Sequence, residues 1–371
     1  MKIPLVDLKA QYISIKPEID SAILRALDNS EFIGGPLVDN FEKSFASLYG
    51  AGNCISVANG TDSLFIIMKM LGIGPGDEVI TVANSWISSS ETITQTGAQV
   101  VFVDADPVYY TIDEKILEDK ITPKTKAIIP VHIFGQMCDI ESIINIGLKH
   151  NIPVIEDCAQ SHFSTFKGKN AGLFGTASSF SFYPGKNLGA YGDAGCIITN
   201  DSDLAIKFRM YARHGALKKH SHMIEGINSR MDSLQAAVLS VKLQRILEWT
   251  KQRQEKAAFY SRELNNVGDM ILPAIRENSE HSFHLYVIQT DKRDELAAFL
   301  EFKNIQTAQH YPTPLPFLKA YEYLNHSKSD FPISDYLSGR ILSLPLYPEL
   351  TSEQQEYIIN NIKIFYNQNI L

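Results

Sequence analysis

Between Phe180 and Thr199 the chain reads FSFYPGKNLGAYGDAGCIIT, one lysine set in a bend of glycine and proline between apolar, aromatic flanks. Lys186 in such company is normally expelled to solvent, because an unpaired buried ammonium is costly and tends to lose its charge instead. Retained inside, it is a working group. Three other stretches could work with it. IPVIEDCAQSH is an apolar strand that delivers Asp157 to its end and Gln160 to the outgoing turn. A carboxylate so placed pairs with a cation or caps a helix. SVANGTDSLFIIM reads as strand, tight turn and helix, so Gly60, Thr61 and Asp62 fall where the open N–H groups of a helix N-terminus suit an anion. An ordinary capped loop is the alternative. Ser181, five residues before the lysine, offers a hydroxyl to the same anion. Trp86, one of two tryptophans, ends the next expected strand, where it stacks on a planar ligand or packs in a core or interface.

Taken together these are the parts of a pyridoxal phosphate site. That cofactor needs an amine for its aldehyde, a carboxylate for its pyridine nitrogen, a cradle for its phosphate and a flat surface for its ring.

The elements that must position these groups follow from the pattern. CISVA, DEVITVA, QVVFVD, KAIIPVHI, PVIEDCA, SSFSFY and GCIITN alternate with helical segments such as TDSLFIIMKMLG, which predicts an α/β fold with a mostly parallel sheet. Ligands of such sheets sit beyond the C-terminal ends of the strands. A long helical stretch after Asn228 links a large cofactor-binding domain, residues 1–250, to a smaller α+β domain, residues 251–371. The smaller part is expected to hold a strand at FHLYVIQT, a helix at RDELAAFLEFKN, a proline-rich loop HYPTPLP and a last helix from Ser352.

Composition excludes several classes. Of 371 residues, 44% are hydrophobic and 20% charged, an ordinary globular mixture. A net charge of −8 argues against a general nucleic-acid binder. Cys54, Cys138, Cys158 and Cys196 form no CxxC pair, so neither zinc nor a disulfide framework is expected. The N-terminus lacks the apolar block of a signal peptide and no apolar run is long enough to span a bilayer, so a cytoplasmic protein without a membrane partner is expected. GIGPGDE follows a helix and precedes a strand, the reverse of a dinucleotide-binding loop, and PGKN lacks the remaining residues of a P-loop. RHGALKKHSH, Arg213 to His222, either meets a diphosphate or is a solvated loop. Its His214, His220 and His222 lack the companion ligands of a metal site, and no metal is expected.

NGTDSL, EDCAQSH, SFSFYPGKNLGAYGDAGCIITND and GINSRMDSLQAA, in this order and spacing, resemble the DegT-type nucleotide-sugar aminotransferases, which are fold type I pyridoxal phosphate enzymes. The resemblance runs from IPLVDLKAQY to LSLPLYPELTSEQQ. It implies that Lys186 holds the cofactor and later carries the proton, that Asp157 pairs with the ring nitrogen, and that Gln160 lies near the phenolic oxygen. By the same resemblance Thr61, Asp62 and Ser181 bind the phosphate, beside Gly60, and Trp86 covers the ring. Asn228 matches a position that reaches the phosphate from a neighbouring subunit, which implies a homodimer with shared active sites. The implied reaction takes an amino group from glutamate and gives it to a nucleotide-linked keto-sugar. Relatives with histidine at the lysine position deoxygenate instead, so the retained lysine favours transamination. HYPTPLP resembles the loop of members that aminate C3, which places His310 and Tyr311, with Arg230 nearby, against the hexose of a dTDP-linked 3-keto-6-deoxy sugar. A rigid proline turn is the plainer account of that loop. A 4-keto sugar, a UDP-linked 3-keto sugar acid and a catalytically idle, cofactor-binding regulator are the alternatives.

Overall fold

A computed structural model describes residues 1–368. The large sheet is built from β1 (Asn53–Val57), β2 (Glu78–Val82), β3 (Gln99–Val103), β4 (Thr125–Ile129), β5 (Ile155–Asp157), β6 (Ala177–Ser181) and β7 (Gly195–Thr199). Hydrogen bonding gives the orders β1-β7-β6-β5 and β3-β2-β4. Parallel bridges from Ile128 to Val154 and from Val131 to Asp157 join the two sets through β4 and β5. Only β7 runs against its neighbours. The expected mostly parallel sheet is therefore present.

Alternation along each strand fills both faces. In β7, Cys196 and Ile198 enter one core with Phe41, Phe45 and Phe180, while Ile197 enters the other with Leu64, Ile67 and Phe102. Adjacent residues of a strand point to opposite faces, so a doubly covered strand must be apolar throughout. The helices that matter for the site are α1 (Gly60–Met70), α2 (Ser88–Gln95), α3 (Ser233–Leu243) and α4 (Ile246–Glu263). The helical stretch after Asn228 is thus two helices, broken at Gln244 and Arg245 without proline or glycine.

A third core gathers Ala257, Tyr260 and Leu264 with Tyr286, Ile288, Leu342, Leu344, Ile358 and Ile362. It is organised by the antiparallel pair β8 (Tyr286–Gln289) and β9 (Ile341–Leu344), flanked by α5 (Arg293–Phe302) and α6 (Ser352–Gln368). Ile3 belongs to this core as well: its N–H donates to Asn304 O at 2.9 Å and its carbonyl accepts from Gln306 N at 2.9 Å. The division expected at residue 250 falls inside α4, and the chain's first residues lie with its last.

Glu156 fixes β5. Its side chain is fully buried, and its two oxygens accept from the N–H groups of Gly172 (2.8 Å), Phe174 (2.7 Å) and Gly175 (2.7 Å). His132 Nε2 donates the fourth bond at 2.9 Å, because its Nδ1 already accepts from Cys138 N. With Cys158, these residues are the grouping of metal-binding types found among the described residues, yet the carboxylate is already saturated by N–H donors. Replacing Glu156 by Gln removes one anionic acceptor and sets an NH₂ against backbone donors. We expect a loss of about 3 kcal/mol in urea unfolding, from stranded buried N–H groups.

Candidate active site

The C-terminal ends of the parallel strands open onto a cavity of about 700 Å³. β1 leads to Asn59 and Gly60, β2 leads to Ser85 and Trp86, β5 ends in Asp157 and β6 ends in Ser181. Since β7 returns antiparallel, the loop joining it to β6 must bend over the same edge, and that loop carries Lys186.

Lys186 lines the cavity with no hydrogen-bond acceptor on Nζ among the described residues. Burial pushes its pKa down to about 8, against an opposing pull from Asp157. Its loop is held on both sides. Lys186 N donates to Tyr183 O at 2.8 Å, and Lys242 Nζ, entirely buried, donates to Gly189 O at 2.7 Å. Asn187 reaches across to the smaller core: its Nδ2 donates to Ser282 O at 3.1 Å, and its Oδ1 lies 3.3 Å from His284 Nδ1.

Asp157 points into the cavity because Glu156 points away. Its carboxylate accepts from Ser89 Oγ (3.0 Å) and Ala159 N (3.1 Å). Burial still raises its pKa, with these two bonds and the charge of Lys186 opposing. A cation placed at this carboxylate would relieve that cost. Gln160 accepts from Phe134 N at 2.8 Å and donates to Tyr311 Oη at 2.9 Å, so its amide orientation is set from both ends.

The helix N-terminus at α1 is capped, which corrects one expectation. Asn59 Oδ1 accepts from Asp62 N at 2.8 Å, so that N–H is not open to a ligand. The N–H groups of Gly60 and Thr61 remain without a protein acceptor among the described residues. Thr61 Oγ1 meets Ser88 Oγ at 2.7 Å, and Ser88 opens α2, so two helix N-termini converge on this end of the cavity. Gly60 is dictated by approach: a Cβ there would lie 2.8 Å from Ser181 Cβ. A phosphate fits this end, an aldehyde fits Lys186, and a protonated ring nitrogen fits Asp157.

Trp86 stands at the rim, 59% exposed, its ring 5.9 Å from that of Tyr311. His310 and Tyr311 also line the cavity. His310 Nδ1 is 2.8 Å from Ser343 Oγ, and burial, reinforced by the charge of Lys186, lowers its pKa to about 4. Asn228 and Arg230 are not brought in. Both are exposed and paired with each other, Arg230 Nε donating to Asn228 Oδ1 at 3.0 Å. The Arg213–His222 segment ends in a short exposed hairpin that does not line this cavity.

Several contributors escaped the sequence reading. Asn59 lay inside the segment SVANGTDSLFIIM, and asparagine before a helix is a recognisable cap; Ser88 and Ser89 follow two and three residues after Trp86. Asn187, His284 and Arg253 had no local signal, since their partners are remote in the chain.

Residues 13–363 match the DegT/DnrJ/EryC1/StrS aminotransferase family. The chain is 44% identical, over 99% of both chains, to a protein of Geobacillus stearothermophilus named pleiotropic regulatory protein. It is 42% identical to the dTDP-3-amino-3,6-dideoxy-alpha-D-galactopyranose transaminase of Aneurinibacillus thermoaerophilus, covering 97% of this chain and 98% of that one. It is 43% identical to the UDP-2-acetamido-2-deoxy-3-oxo-D-glucuronate aminotransferase of Pseudomonas aeruginosa, covering 94% and 96%. Among solved structures, S. venezuelae DesV superposes with a TM-score of 0.96 at 35% identity over 98% of each chain.

The pKa of Lys186 has a direct consequence. In cofactor-free protein, acetylation of Lys186 followed by mass spectrometry should rise with a midpoint near pH 8. Because Asp157 stabilises the ammonium, Asp157→Asn should move that midpoint to lower pH. A midpoint above 10 in the native protein would contradict the desolvated setting.

Proposed function

The chain belongs to the DegT/DnrJ/EryC1/StrS aminotransferase family, and we propose that it uses pyridoxal phosphate to move an amino group from glutamate to C3 of a dTDP-linked 3-keto-6-deoxyhexose. The observation that carries the reading is a Lys186 without an acceptor among the described residues, in a cavity that Asp157 also lines and whose end is a pair of helix N-termini.

Pyridoxal phosphate, when bound, supplies an electron sink for proton removal at the carbon bearing the transferred nitrogen. The protein's share is to hold and move that proton. A shift from 10.5 to about 8 raises the neutral fraction of Lys186 near pH 7 by roughly two orders of magnitude, enough for it to act as a base. Lys186 takes the proton from the donor's α-carbon in one half-reaction and returns one to the sugar carbon in the other. Asp157 keeps the ring nitrogen cationic, and Gly60, Thr61 and Ser181 hold the phosphate. Trp86 and Tyr311 cover the ring and sugar.

For the sugar, Leu5, Val6, Leu285, Leu344 and Leu346 give the cavity an apolar wall suited to a 6-methyl group, and one similar protein acts on such a sugar by name. Another is named for a UDP-linked 3-oxo sugar acid, which is the second reading.

We read the oligomer as a homodimer. Asn228 and Arg230 face outward beside exposed Phe32 and Ile33, because Ser233 N bonds Phe32 O and Ile33 bridges Asp232. A second copy would bring this segment to its neighbour's cavity.

Three measurements bear on these statements. Protein mixed with pyridoxal phosphate should show a visible band that Lys186→Ala lacks and that glutamate bleaches; a band indifferent to glutamate would favour a regulator over an enzyme. Mixed inactive Lys186→Ala and Asn228→Ala proteins should regain roughly a quarter of native activity after subunit exchange, and no recovery would exclude a shared site. In a substrate panel, dTDP-linked 3-keto-6-deoxy sugar should exceed 4-keto sugars in kcat/KM by at least about tenfold, and preference for a 4-keto sugar would overturn the C3 assignment.

A further inference from the structure

One cation in the cavity wall has no role in the scheme above. Arg253, on α4, is 3% exposed and lines the cavity. Its Nη1 donates to Leu346 O at 2.8 Å, with longer contacts to Phe283 O (3.3 Å) and His284 O (3.4 Å). Nε is buried without a partner, and Nη2 makes no hydrogen bond among the described residues. No carboxylate among the described residues forms an ion pair with it. Glu349 influences its charge from a distance, but Glu349 Oε1 is itself buried without a partner and the residue lies off the cavity lining.

The surroundings sharpen this. Leu5, Val6, Leu285, Leu344 and Leu346 make the adjoining wall apolar, and burial keeps His284 and His310 uncharged. Among the lining residues Arg253 and Lys186 are therefore the lasting cationic side chains. A guanidinium buried without a hydrogen-bonded anion is expensive, and its planar fork matches a carboxylate. The missing anion arrives with a ligand.

We infer that Arg253 is the carboxylate anchor of this cavity and receives the side-chain carboxylate of the dicarboxylic amino donor. The inference rests on the aminotransferase reading. A 6-deoxy sugar carries no carboxylate, so the donor is the source; a sugar acid is the other source of the same chemistry. Three backbone carbonyls orient the guanidinium, so the anchor is preformed and selects two-carboxylate donors over alanine.

The test uses full-length protein loaded with pyridoxal phosphate, in native, Arg253→Met and Arg253→Lys forms, with melting temperatures recorded for each. Glutarate, a dicarboxylate that cannot react, is titrated calorimetrically. Arg253→Met should weaken it about thirtyfold, and Arg253→Lys, which keeps the charge and loses the fork, by less. In rapid-mixing half-reactions the ratio of glutamate to alanine rate constants should fall by the same factor. Should Arg253→Met fail to fold, Arg253→Lys still decides, because a structural role alone would leave both glutarate affinity and that ratio unchanged. That result overturns the anchor. An unchanged ratio together with impaired turnover of a UDP-linked 3-keto sugar acid overturns the donor assignment and gives the carboxylate to the sugar. If native protein ignores glutamate, the proposed donor fails, while the glutarate titration still reports on Arg253.

Discussion

Two neighbouring carboxylates on β5 face opposite ways, and the site depends on that opposition. Glu156 is buried among four N–H donors, so its charge is met within the protein and β5 has one place to be. Strand geometry then turns Asp157 to the cavity. There burial leaves it short of compensation and raises its pKa, which makes it a receptor for a cation rather than a resident ion pair. One carboxylate is satisfied so that the next can be left wanting.

The lysine loop obeys the same logic at a longer range. Lys242 and Asn187 hold the backbone around Lys186 from α3 and from the smaller core, while Lys186 Nζ is left without an acceptor among the described residues. The loop's main chain is over-determined and its amine is not. Its lowered pKa is thus a property of the wall rather than of a specific partner, since burial is its largest cause.

Much of this was legible in the sequence because reactive groups sit at strand ends, within contiguous apolar segments that announce the strands. Asp157, Ser181 and the Gly60–Asp62 turn are of this kind. The parallel sheet was legible from the same alternation, and so was the resemblance whose motifs span it. What was hidden is nonlocal. Asn187 meets Ser282 and His284, and Arg253 meets Leu346, pairings that no local pattern encodes. The break between α3 and α4 carries no proline or glycine, so tertiary packing rather than propensity ends the first helix. The capped Asp62 N–H was a misjudged detail of a readable motif, since Asn59 stood in the quoted segment.

The path of the first residues has a mechanical consequence. Ile3 is packed with the smaller core and Leu5 and Val6 line the cavity, before the chain enters the large sheet's helices. The smaller core is therefore tied to the rest of the molecule at several places: by this segment, by α4, and by the bonds of Asn187 to Ser282 and of Leu285 N to Phe134 O. The wall formed by Leu5 and Val6 takes its position from the pairing of Ile3 with Asn304 and Gln306, so the cavity and the smaller core share one support.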